Sequence, residues 1–244
     1  MFDLTANQKI KFYRIVSLCA LLAVIFFVAA GILAIFMSLP AVQSSLNERL
    51  NFIAQNYIIW KILFFLVFMF WVLQLPCWFG LFQLAQRHLS HLVFWSMVLG
   101  GIGALLCMQS IYPLATAIPR MAKIYVTTND ELLKYSIFAN FNSSGLLQMH
   151  SLSFSQTFLG LAFLACAGIF SGISLLKTLK LTKITGIILL ISGSLGLIGF
   201  IGHLIENQII EMAAIGQIFF YFCALIPAGI VFYQEAGLNE AIKK

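Results

Sequence analysis

Charge is what this chain has least of: Asp, Glu, Lys and Arg make up only 9% of its 244 residues, against roughly a quarter in water-soluble domains. So few ions cannot cover the surface of a soluble fold of this length, which excludes one. Acids are the scarcest, 8 Asp and Glu against 14 Lys and Arg. No Lys or Arg lies deep in an apolar stretch, so proton pumps and voltage sensors lack their usual parts. Paired thiols are missing as well. Cys19, Cys77, Cys107, Cys166 and Cys223 all fall in apolar stretches and no two form CxxC, which argues against a disulfide-exchanging oxidoreductase. No H-E-x-x-H occurs, and no G-x-S-x-G-like serine is matched by a histidine on another helix. No basic stripe with interleaved aromatics speaks for nucleic acid.

What the chain has in abundance is apolar sequence, with 61% hydrophobic residues and a mean hydropathy of +1.00. A window of about 19 residues finds stretches at 15–37, 58–84, 92–118, 157–176, 184–205 and 209–233, each long enough to cross a hydrocarbon layer of about 30 Å. Residues 1–244 therefore read as one domain, an all-α integral membrane bundle of about six transmembrane helices. The first stretch exceeds the 7 to 15 residues of a signal-peptide core and no small-x-small site ends it before Pro40, so it is expected to stay as a helix. Lys9, Lys11, Arg14, Arg87, Lys177, Lys180, Lys183, Lys243 and Lys244 fall on one side, and only Arg49, Lys61, Arg120, Lys123 and Lys134 on the other. The richer side is expected to be cytoplasmic and to carry both termini. The net charge of +6 then lies against anionic headgroups of the bilayer.

Two connections are long, 38–57 and 119–156. In the second, Thr128-Asn129-Asp130-Glu131 has the spacing of a capping box and predicts a short interfacial helix over about 129–140, with Asn142-Ser143-Ser144-Gly145 as a turn after it. Small residues mark close helix packing at Gly168-xxx-Gly172, at Gly100, Gly101, Gly103 and Ala104, and at Ser192, Gly196 and Gly199. Of the aromatics, Trp60 and Trp95 fall near span ends, where interface anchors sit.

Candidate sites are few. The Ser192, Gly196, Gly199 face continues at helical spacing into His203 and Glu206, with His150 and Glu211 expected at the same level. His150, His203 and Glu206 are of the types that ligate metal, though His203 as a helix-bonding group and Glu206 as a polar helix end suit the same pattern. His88 and His91 read as loop residues beside Gln86 and Arg87. A bis-histidine haem lacks its second intramembrane ligand. Gln74 precedes Pro76, and Gln109 precedes Tyr112 and Pro113, so two helices pair a proline-freed carbonyl with an amide at depth. Trp71 and Trp78 share the face of Gln74. Gln74, Trp71, Trp78, Gln109 and Tyr112 are thus candidates to line a site for a lipid or other hydrophobic molecule, or to be ordinary core.

Six spans, Leu81-Phe82-Gln83-Leu84-Ala85-Gln86-Arg87-His88 after the second, a helix-bearing segment between the third and fourth, and Leu175-Leu176-Lys177-Thr178-Leu179-Lys180-Leu181 before a Gly-rich fifth make up the layout. It resembles the bacterial membrane family called domain of unknown function four-three-eight-six. The resemblance implies a prokaryotic inner-membrane protein and transfers no catalytic residue. The expectation is a non-enzymatic membrane module or accessory subunit, with partner subunits or its own copies. A small transporter or lipid binder is the alternative, and a metal-dependent enzyme at the His/Glu cluster the second alternative; no cofactor is expected.

Overall fold

The computed structural model describes residues 5–37, 45–85, 90–144, 152–176 and 180–243; His88, His150, Gln86 and Arg87 lie outside them. Ten helices and no strand occur among the described residues. Six are long and apolar enough to cross a membrane: α1 (Ala6–Phe36), α3 (Tyr57–Ala85), α4 (Ser90–Ala115), α7 (Leu152–Leu175), α8 (Lys180–Leu204) and α10 (Ala213–Lys243). The others are α2 (Leu46–Gln55), α5 (Ala117–Thr127), α6 (Glu131–Ser144) and α9 (Gln208–Glu211).

Helix starts follow capping chemistry more closely than hydropathy. α1 begins well before the apolar stretch at 15, because Thr5 and Gln8 form a reciprocal capping box. The Gln8 amide N–H donates to Thr5 Oγ1 at 3.4 Å, and the Thr5 N–H to Gln8 Oε1 at 2.9 Å. Ser45 and Glu48 do the same for α2, a helix that hydropathy misses because only Leu50 and Ile53 are buried. In the connection where one helix was expected, over about 129–140, two occur, α5 before those bounds and α6 from Glu131 to Ser144. The predicted Thr128/Glu131 box does not form. The Asp130 carboxylate instead accepts from the Leu132 and Leu133 N–H groups at 2.9 and 3.2 Å, which starts α6 later. The turn expected at Asn142 to Ser144 is the end of that helix.

The spans form a ring, α1–α3–α4–α7–α8–α10 and back to α1, each packed on its neighbours in sequence. Arg14 and Glu240 pair at 2.6 Å, placing the start of α1 and the end of α10 together; we call this the terminal end and the opposite one the distal end. The main core fills the ring with Phe70, Trp71, Trp78, Leu161, Tyr221 and Phe232 among others. A second core at the distal end joins Leu50, Ile53, Trp60, Ile118, Ala122 and Ile137. Trp60 belongs to it: 8% exposed, it donates from Nε1 to Leu114 O at 2.9 Å, whereas Trp95 is 54% exposed. The outer surface is apolar, with Ile25, Phe65, Leu105, Ile198 and Phe219 open.

Lipid provides no hydrophobic drive between helices, so the ring depends on close backbone contact. A Cβ at Gly103 would lie 2.7 Å from Gly160 O, and one at Gly172 would lie 2.8 Å from Gly186 O. These contacts draw α4, α7 and α8 together. Gly101, expected to pack like Gly103, has nothing within 4 Å. Gly103→Ala is therefore expected to lower thermal stability in detergent by about 1–3 kcal/mol. Gly101→Ala should be neutral or stabilise by up to about 1 kcal/mol through helix propensity; equal losses from both would contradict this packing.

Candidate functional site

The polar centre of the bundle is built from α3 and α10. Gln74 and Trp78 lie one turn apart on α3, and Gln217 and Tyr221 one turn apart on α10, all nearly or wholly buried. The Tyr221 hydroxyl donates to Gln74 Oε1 at 2.8 Å. Its ring stacks on the Trp78 indole with centroids 5.7 Å apart and planes 14° from parallel. Gly100 on α4 makes room for that indole, since any Cβ there would overlap it. Gln217 ties two more helices in: its Nε2 donates to Leu161 O on α7 at 2.7 Å, and its backbone carbonyl accepts from Ser192 Oγ on α8 at 2.9 Å. Trp71 packs edge-on against Phe70 beside this centre.

Three buried polar atoms there lack a hydrogen-bond partner among the described residues: Gln74 Nε2, Trp78 Nε1 and Gln217 Oε1. Each such group costs about 1–3 kcal/mol. A small cavity reaches Tyr221 between Cys77, Leu81, Thr185, Leu189 and Leu225, with room for about one water. Beside Pro76, the Cys77 thiol donates to Leu73 O at 3.2 Å.

Of the five residues expected to line a site, only Gln74, Trp71 and Trp78 meet here. Gln109 and Tyr112 face outward from α4, in line with exposed Ile102 and Leu105. The opposite face of α4, with Gly103, Cys107, Ser110 and Ile111, is the buried one, so the amide at 109 is turned from the centre. Sequence reasoning missed Tyr221 and Gln217. The available signal was their one-turn spacing on a face that continues into Ala224 and Ala228.

At the distal end His203 Nδ1 lies 3.2 Å from Glu211 Oε1, and the imidazole stacks on Phe158 at 4.3 Å. The carboxylate that meets His203 is thus Glu211 and not Glu206. Glu206 ends α8: the Asn207 N–H donates to Gly202 O at 2.9 Å and the Glu206 N–H to His203 O at 3.2 Å, with Glu206 at φ 55°. This is a Schellman ending with a non-glycine residue in the left-handed position. Its side chain is exposed. No group of three His, Cys, Asp or Glu positioned to hold a metal occurs among the described residues, and His150 lies outside them. His91 is exposed at the terminal end.

Set beside protein-family models, curated proteins and solved structures, the chain matches none of them.

Tyr221→Phe should cost about 1–3 kcal/mol, because it leaves a second atom of the Gln74 amide unpartnered. Adding Gln74→Leu to it should recover part of that loss in a thermal double-mutant cycle, while strict additivity would show the two side chains to be uncoupled. Glu206→Gly is expected to raise the unfolding midpoint, worth about 1 kcal/mol, by relieving the left-handed backbone. A drop would mean that the carboxylate holds something in place.

Proposed function

We propose that this protein is a non-enzymatic membrane module acting as a subunit of a larger membrane assembly, and that the Gln109 face of α4 receives a partner's transmembrane helix. The observation that carries this is the outward amide of Gln109, which has no hydrogen-bond partner among the described residues. Buried hydroxyls elsewhere are spent on carbonyls of neighbouring helices. Ser17 donates to Gly229 O and Ser96 to Ala167 O, both at 2.8 Å, so these hydroxyls are met within the bundle. Gln109 sits on a face with Ile102, Leu105 and Tyr112 instead, inside a stretch apolar enough to span. An amide left bare in hydrocarbon costs several kcal/mol, and a hydroxyl or amide from another helix removes that cost.

A photo-crosslinking residue at position 109 is expected to give a defined adduct in native membranes, and one at exposed Ile198 on α8 none. Gln109→Leu should weaken co-purification of the captured species. A product of twice the chain's mass would identify the partner as a second copy, and no product at 109 overturns the reading.

The lysine and arginine asymmetry supports an orientation with the terminal end in the cytoplasm, and the resemblance noted above implies a prokaryotic inner membrane. A reporter active only in the cytoplasm should be active when fused after Lys244 and inactive when inserted near Asp130; the reverse pattern would invert the orientation.

The unpartnered donors Gln74 Nε2 and Trp78 Nε1 favour a second reading, a central site for a small polar guest. In the form described here the cavity beside Tyr221 admits a guest of water size, not a lipid chain. A density map in lipid should show an ordered molecule against Gln74 Nε2; a dry centre would sink this reading.

A further inference from the structure

Two lysines gather at the distal end around one tyrosine, and an arginine lies one turn from the second lysine. Tyr57 opens α3 and Lys61 lies one turn further along it, while Arg120 and Lys123 lie one turn apart on α5. Lys61 Nζ donates to the Tyr57 hydroxyl at 2.8 Å. Lys61 Nζ stands 4.6 Å, and Lys123 Nζ 5.1 Å, from the centroid of the same ring. Arg120 lies one turn before Lys123 on α5 and is exposed.

Among the described residues no carboxylate balances this charge. Its 8 acidic residues can be accounted for almost one by one. At the distal end Glu48 is held in the α2 capping box and Asp130 caps α6. Glu131 pairs with Lys134, and Glu211 with His203. Glu206 ends α8, and Glu240 pairs with Arg14 at the terminal end, where Glu235 also lies on the last turns of α10. Asp3 lies outside the described residues. Among the described residues, then, no carboxylate pairs with Lys61, Arg120 or Lys123.

Like charges drawn to one ring are stabilised when an anion sits among them. Tyr57 and Lys61 occupy the first turns of a spanning helix, the level of headgroups; Lys123 stands over the same ring, and it and Arg120 are exposed on the amphipathic α5. The Tyr57 oxygen accepts from Lys61, so its own O–H is left to donate outward. Ammonium, guanidinium and phenol donors together suit the oxygens of a phosphate. We propose that Tyr57, Lys61, Arg120 and Lys123 form a binding site for the phosphate of an anionic phospholipid headgroup. The site does not depend on the partner face of α4.

The test compares unfolding midpoints of the full chain in nanodiscs of phosphatidylcholine alone and with phosphatidylglycerol added. The anionic lipid should raise the midpoint by a few degrees. Lys61→Gln/Arg120→Gln/Lys123→Gln should lose that rise, whereas Lys9→Gln/Lys11→Gln/Lys183→Gln, which removes the same charge at the terminal end, should keep it. If the first triple variant does not fold, Lys123→Gln alone at its exposed position should lose part of the rise and Lys123→Arg should retain it. Equal rises in wild type and the distal variants, or equal losses in both triple variants, would overturn the site. Inorganic phosphate added to wild type in phosphatidylcholine distinguishes the source: no effect supports the headgroup, and a full rise from phosphate alone overturns it in favour of a free anion.

Discussion

The structure depends on α7 being able to touch two helices backbone to backbone. Gly160 meets Gly103 of α4, while Gly168 and Gly172 face the carbonyls of Leu189 and Gly186 on α8. In lipid there is no water to expel between these surfaces, so dispersion contacts at short range take the place of the hydrophobic effect. With α7 seated in this way, Leu161 O is brought to Gln217 and Phe158 to His203. Both polar features of the bundle therefore depend on glycine placement on α7.

The second organising constraint is the treatment of polar atoms at depth. Serines spaced through the bundle donate to carbonyls across helix interfaces, and the Ser96 and Ser171 hydroxyls also meet each other. Only around Gln74, Trp78 and Gln217 are buried atoms left without a described partner, and Gln109 turns an amide outward from the distal third of α4. These two exceptions differ in kind. One is enclosed and limited in size by aromatic stacking, so it can exchange at most something small; the other is open and can be met by another helix.

The two ends are built differently. The terminal end closes through the Arg14–Glu240 pair. At the distal end α2 and α5 pack on each other and, with Ile137 of α6, bury a separate core around Trp60. Tyr125 on α5 adds a hydrogen bond of 2.6 Å to Asn47 on α2. This layer holds Lys123 of α5 over Tyr57 at the start of α3.

The membrane class and the six spanning helices could be read directly from composition and hydropathy, because every residue of a spanning segment contributes to the same local average. Gln74, Trp71 and Trp78 were legible as one group since helical spacing alone puts them on one face. The amphipathic α2 and the late start of α6 were not legible. A weak average hides the first, and two competing caps, Thr128 and Asp130, stand within reach of the second. Which face of α4 turns inward, which carboxylate meets His203, and that Tyr221 completes the Gln74 centre were decided only by tertiary structure. Each of these depends on the rotation of one helix against another that is distant in sequence, and that rotation is set by where backbones can approach, a property of pairs of surfaces that no single stretch of sequence contains.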